Sequence, residues 1–264
     1  MATLQLKNKL KNEAKKLGIN LIGFANVKRW EDSVEINRAF WPQTIWPWSK
    51  VVIVLGVQIY LPMLETSPSA LYSELYNTTN RMLDETAYKM ANILNTLGHR
   101  AFFFPRDCYG DISVLLEKPE VAFSHVVAGM YAGLGTIGFN HTLITKKYGS
   151  RVRLVSVITD ADITPDTMLS KGLCINCRQC LKACPQKAFS PNENGRIAHM
   201  DKLKCATYHQ QLKNELCYPC GICTTACPVG EDRKLYDKSS VSEEGILHCQ
   251  SFGSHRKTTL VDSK

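Results

Sequence analysis

The chain has no apolar run long enough to span a bilayer. The segment from Met1 to Lys16 is charged and amphipathic, and lacks the apolar core and cleavage site of an export signal. These absences argue against membrane insertion and against an oxidising compartment, where disulfides persist. A reducing cytoplasm is the expected setting. Carboxylates are scarce relative to bases: 24 Asp and Glu face 32 Lys and Arg, a formal charge of +8. That excess suits an acidic partner, whether RNA, an acidic redox protein or a cofactor carrying phosphate and carboxylate groups, without choosing among them. Lys7, Lys9, Lys11, Lys15 and Lys16 read as a solvated helix face.

Cysteine, by contrast, is abundant and ordered. Cys174-Ile-Asn-Cys177-Arg-Gln-Cys180-Leu-Lys-Ala-Cys184-Pro185 and Cys217-Tyr-Pro-Cys220-Gly-Ile-Cys223-Thr-Thr-Ala-Cys227-Pro228 both read C-x2-C-x2-C-x3-C-P. This is the bacterial ferredoxin pattern for a [4Fe–4S] cluster. Three thiolates two residues apart wrap three irons of one cubane, and the fourth reaches across to the other cluster. Structural zinc prefers separated Cys pairs over four cysteines in one tight run. Two clusters are therefore expected. The first takes Cys174, Cys177, Cys180 and Cys227. The second takes Cys184, Cys220 and Cys223, with a fourth ligand that is either Cys217, by regular spacing, or Cys205. Cys108 and Cys249 stand alone and read as small buried hydrophobes.

Roughly 170 residues precede the first motif, enough for one full domain. Leu6, Leu10, Ala14 and Leu17 share one face of a helix over 4–17 that Gly18 stops. Residues 19–25 read as a short strand, and the β-branched run 51–59 as a central one. A long helix opens at Ser67-Pro68 and ends at Leu97 before Gly98; residues 100–104 form another strand, closed by Pro105. A helix over 121–132 runs into Gly133-Leu134-Gly135-Thr136-Ile137-Gly138. Two β-runs follow, 141–145 and 152–159, joined as a hairpin by 146–150. The mixed order indicates an α+β domain. Residues 160–172 read as a linker, and 239–264 as a polar tail. The division is 1–165, 166–238 and 239–264.

The G-x-G-x-x-G at 133–138 has a helix before it and a strand after it, the reverse of a dinucleotide-binding loop. What remains is either a tight turn or a backbone that approaches something flat or bulky.

The sequence Ala132-Gly133-Leu134-Gly135-Thr136-Ile137-Gly138, then Leu143-Ile144, Gly149, a strand ending in Thr159-Asp160 and two ferredoxin motifs resembles the epoxyqueuosine reductase family, whose core respiratory reductive dehalogenases share. The resemblance spans about residues 10–235. It implies a nitroreductase-like cobalamin-binding domain followed by a ferredoxin-like two-cluster domain. It also implies a corrin lying against Gly133, Leu134, Gly135, Thr136, Ile137 and Gly138, and Cys205 as the upstream ligand of the second cluster. The chain departs from the family pattern at Thr136 and Phe139, and where the family has its proton-donating aspartate this chain reads Pro105-Arg106-Asp107-Cys108-Tyr109. The family's extension that helps hold tRNA has no counterpart here, so tRNA is a weak expectation.

The function implied is an iron–sulfur oxidoreductase. Electrons from a ferredoxin or flavodoxin would pass through two clusters to a corrinoid for cleavage of a C–O or C–halogen bond. Candidate acids are Asp107, Tyr109, His125 and Tyr131. The alternative is an electron-transfer or activator protein for another corrinoid or flavin protein, with no bond chemistry of its own.

Overall fold

A computed structural model describes residues 3–32, 36–107, 109–192, 197–236 and 241–251. Helix α1 (Thr3–Lys16) buries Leu6, Leu10 and Ala14 and ends before Gly18, whose φ of 79° only glycine adopts freely. Strand β1 (Leu21–Asn26) follows. A short helix, α2 (Pro42–Ile45), lies on the way to β2 (Val51–Gln58). After α3 (Leu61–Glu65), the Ser69 hydroxyl accepts from Tyr72 N and starts the long helix α4 (Ala70–Thr96). Then come β3 (Ala101–Phe104), α5 (Val114–Glu117), α6 (His125–Tyr131), β4 (Thr136–Ile137), β5 (Leu143–Ile144) and β6 (Val152–Thr159).

β1, β2, β6 and β3 form one antiparallel sheet in that order, with Ile53 paired to Phe24 on one side and Val157 on the other. Alternation divides β2 between two cores. Val51, Ile53, Leu55 and Val57 pack under α1 and α4 with Leu10, Leu83, Met90 and Leu94. Val52 and Val54 face Trp30, Phe123, Ala128 and Tyr131 on the opposite side. With both faces covered, β2 reads as a continuous apolar run, as the sequence indicated.

Several expectations change. The long helix expected to open at Ser67-Pro68 begins only at Ala70, behind Ser69. The helix expected over 121–132 begins only at His125, with Ser124 as its N-cap. Phe123 is instead drawn into an aromatic group, 5.1 Å from Phe104 and 6.3 Å from Trp30 between ring centroids. The runs at 141–145 and 152–159 do not pair as a hairpin: β5 pairs with β4, and β6 joins the central sheet. The expected linker is anchored to the first domain as far as Asp166. Ala161 and Ile163 lie in the core, and Asp166 accepts from Phe24 N and pairs with Lys7 at 2.6 Å. Lys7 is thus buried, unlike the solvated lysines expected on α1.

The C-terminal part comprises α7 (Gln179–Ala183), β7 (Phe189–Ser190), β8 (His199–Met200), α8 (Lys202–Asn214) and α9 (Ile222–Thr225). Within the expected tail, α10 (Glu243–Ser251) carries Cys249, and Gln250 Nε2 donates to the carbonyls of Thr66 and Ser67. Cys108, residues 239–240 and residues 252–264 lie outside the described residues. Among the described residues no helix is long and apolar enough to cross a membrane.

Candidate functional site

Both cysteine runs curl through left-handed backbone, at Asn176 and Arg178 in the first and Gly221 in the second. Cys174, Cys177 and Cys180 line a small cavity together with Cys227 of the other run. Burial pushes the Cys180 thiol up to about 11, and Cys227, Cys174 and Cys177 reinforce the shift. A second group draws on both runs and on α8. Burial pushes Cys205 up to about 11 and Cys220 to about 12, with Cys184 adding to both and Cys205 adding to Cys220. Cys223 is raised too, first by burial and then by Cys220, Cys205 and Cys180. Cys217 is buried at the end of α8, its N–H on the Leu212 carbonyl at 2.8 Å.

Among the described residues no three His, Cys, Asp or Glu side chains converge closely enough to grip a single metal ion. Four thiols around one cavity suit a cubane, which takes one thiolate per iron. Cys184 Sγ also accepts from Ala188 N at 3.4 Å, the kind of bond that tunes a cluster.

The glycine loop is occupied by the protein itself. A Cβ on Gly133 would overlap the Thr167 carbonyl, on Gly135 the Ile144 carbonyl, and on Gly138 the Ile144 side chain. Leu134 fills the space above Gly23, and Ile137 pairs with Leu143 across β4–β5. Thr136 Oγ1 accepts from Leu173 N at 2.9 Å. Beyond the loop, Phe139 packs in one apolar cluster with Cys180, Cys174, Cys184 and Cys223, while Asn140 Nδ2 donates to the Cys223 carbonyl. The close approach demanded by these glycines is thus met by β5 and the strap 160–167, and the segment clamps the cysteine-bearing part onto the sheet. A bulky residue at Gly135 would strike β5, so its effect reports on the fold.

Four residues that the sequence did not single out build the polar centre. Arg153 on β6 pairs with Asp107 at 3.2 Å, bonds Asn80 Oδ1 and stacks over Tyr76, 4.3 Å from its centroid. The Tyr76 hydroxyl donates to Asp107 at 2.8 Å. Tyr218, between two cysteines of the second run, meets the Tyr109 hydroxyl at 3.0 Å. Burial works to raise Asp107, but Arg153 and the Tyr76 hydrogen bond outweigh it and hold the carboxyl below the usual range. Asp107 is therefore held as a carboxylate acceptor in this network. Burial raises Tyr109 and Tyr218, so both phenols keep their protons. The period-3.6 pattern of α4 marks Tyr76 and Asn80 as inward-facing, but nothing local marks Arg153 as their partner.

His125 and Tyr131 make their own contacts outside the hydrogen bonds of this network. Tyr131 packs edge-on to Trp30 at 4.7 Å in the apolar core. His125 Nε2–H donates to the Pro105 carbonyl at 3.1 Å, leaving Nδ1 to accept from the Ser156 hydroxyl at 2.9 Å. Burial lowers His125 from 6.5 to about 4. The unfolded chain thus binds this proton near its ordinary value, and the folded one only near about 4. Stability should rise with pH through that window and level off above it. Between about pH 7.5 and pH 5.5 the group should cost the fold about 1.4 kcal/mol. Urea unfolding at both pH values checks this: His125→Gln should lose that part of the acid sensitivity, and equal slopes would rule out a buried neutral imidazole.

A cavity of about 250 Å³ adjoins the network, lined among others by Arg106, Tyr109, Phe123, His125, Thr142 and Arg153.

Comparison with known proteins places the chain. Residues 173–231 match the family described as 4Fe-4S dicluster domain. A tetrachloroethene reductive dehalogenase of Desulfitobacterium hafniense is 27% identical over 197 residues, covering 67% of this chain and 32% of that protein. The chain thus spans about a third of the length of that relative. An epoxyqueuosine reductase of Atelocyanobacterium thalassa is 26% identical over 266 residues, covering 85% of this chain and 80% of the relative. The solved structure of epoxyqueuosine reductase from Streptococcus thermophilus superposes with a TM-score of 0.58 at 22% identity, covering 84% of this chain and 65% of that one. The chain shares its α+β fold, followed by a dicluster domain.

Proposed function

Starting from a chain that is a distant member of the epoxyqueuosine reductase and reductive dehalogenase family, we propose that the protein is an iron–sulfur oxidoreductase holding two [4Fe–4S] clusters. Cys174, Cys177, Cys180 and Cys227 would hold one, and Cys184, Cys205, Cys220 and Cys223 the other. When bound, the clusters supply one-electron transfer at low potential. The observation that carries the reading is the grouping of the thiols: each set borrows a cysteine from the other run, which ties the two centres into one unit. Phe139 excludes water between them, and Asn140 fixes the second loop. The second set lies against Tyr72, which is within electrostatic reach of Cys220, Cys223 and Arg153. Electrons would leave on the side of the Arg153–Asp107 network, where Tyr109, a lining residue of the cavity, keeps its phenolic proton beside Tyr218.

Anaerobic reconstitution followed by iron and sulfide assay tests this. About eight irons and eight acid-labile sulfides per chain are expected. A value near four irons would mean a single cubane, and zinc without sulfide would overturn the reading.

A second reading is supported by the family likeness and by the proton-holding groups at the cavity. In it the chain itself binds cobalamin and cleaves a C–O bond, as in an epoxide on a tRNA base, or a C–halogen bond. Adding cobalamin to the anaerobic, cluster-loaded protein separates the readings: a retained corrin spectrum supports the second, and none leaves a protein that passes electrons to another cofactor-bearing protein.

A further inference from the structure

From Thr167 to Asn192 the chain has no carboxylate, yet it carries Lys171, Arg178, Lys182 and Lys187. All four are exposed. None takes part in the ion pairs found among the described residues. They surround the first cysteine loop, where Cys177 is exposed and its neighbour Ile175 is 66% exposed. Lys182 follows Arg178 by one helical turn, its N–H on the Arg178 carbonyl, and Lys187 sits in the turn closed on the Cys184 carbonyl. The rest of the first thiol set is less accessible: Cys174 is half-buried, and Cys180 and Cys227 are buried.

We infer that this loop is the electron-entry face, and that its occupant is an acidic one-electron carrier protein docking over Cys177. The inference rests on the iron–sulfur reading above and adds the place where such a carrier docks and the side chains that receive it. Unpaired cations around a small apolar centre suit a weak redox encounter, in which charge steers approach and a limited contact permits fast release. Nucleic acid would also be drawn to cations, but single-stranded RNA is gripped by stacking on aromatic side chains. Between Met168 and Ala188 there is no aromatic residue at all.

The test uses cluster-loaded full chain and an acidic flavodoxin labelled with a fluorophore, with binding read by anisotropy and electron transfer by cluster bleaching in stopped flow. In wild type both should weaken steeply as salt rises. The triple variant Lys171→Glu, Lys182→Glu, Lys187→Glu should weaken low-salt binding and slow reduction on the order of tenfold or more, while dithionite still reduces its clusters. Salt-independent binding in wild type, or a triple variant reduced by flavodoxin at the wild-type rate, overturns the inference. So does a variant that loses retention of a tRNA stem-loop but keeps flavodoxin binding, because the face would then serve RNA. Failure to assemble clusters in wild type would sink the underlying iron–sulfur reading instead, and the iron assay distinguishes that outcome.

Discussion

Cys205→Ser should lose one of the two clusters, whereas Cys217→Ser should keep both. Regular spacing favours Cys217, because it heads the second C-x2-C-x2-C-x3-C-P run. The fold favours Cys205. Helix α8 begins at Lys202 behind an Asp201 cap, whose side chain accepts from Lys204 N, and this sets Cys205 on the first turn. There its thiol feels Cys184, and bears in turn on Cys220 and Cys223. Cys217 closes the other end of the same helix, twelve positions further along the sequence. A serine at 205 substitutes a weaker oxygen ligand for a thiolate, and one iron of the second cubane is left poorly held. Iron content should fall from about eight toward four per chain, and electron paramagnetic resonance of the reduced protein should show one cluster lost or distorted. The reverse pattern, with Cys217→Ser the damaging change, would reject this ligand set.

The second large effect is expected at Arg151, which is fully buried and pairs with Asp232 through two bonds, 2.7 Å from Nε and 2.6 Å from Nη2. The same guanidinium donates to the carbonyls of Cys227 and Val229 at 3.0 and 2.7 Å. It joins the start of β6 to the chain leaving the last cysteine of the second run. The backbones are so close here that a Cβ on Gly149 would overlap the Val229 carbonyl. Arg151→Met would strand a buried carboxylate and leave the Val229 carbonyl without this donor. Breaking such a pair from one side costs about 3–5 kcal/mol, a large share of a total stability of roughly 5–15 kcal/mol. Arg233 also donates to the Cys227 carbonyl at 2.9 Å, so that acceptor keeps one partner. The double variant Arg151→Met, Asp232→Leu should recover much of the loss, since no charge is left unpaired. Urea unfolding of the cluster-loaded proteins, followed by circular dichroism and cluster absorbance, measures both. A single variant as stable as wild type would mean that the pair does not hold the two parts together.

The cysteine grammar, the apolar run of β2 and the 3.6 period of α4 stopped at Gly98 were legible because each is a local pattern. Thiol spacing is set by the size of a cubane, and a strand covered on both faces must be apolar throughout. The glycines of 133–138 announced a close approach but could not name the neighbour, since Ile144 and Thr167 reach them only through the folding of β5 and of the strap. Asp107 could be picked out as a candidate acid, but its protonation could not be read. That depends on Tyr76 from α4 and Arg153 from β6, 31 and 46 residues away in sequence. Arg151 carried no signal either, because arginine is ordinarily exposed and its partner lies 81 residues further on. Sequence by itself determined the main strands and helices of the first domain and which cofactor chemistry the thiols serve. Tertiary structure decided which thiols stand near Cys205, which groups surround Asp107 and what the glycine loop touches, because burial and charge at each of these places come from residues distant in the chain.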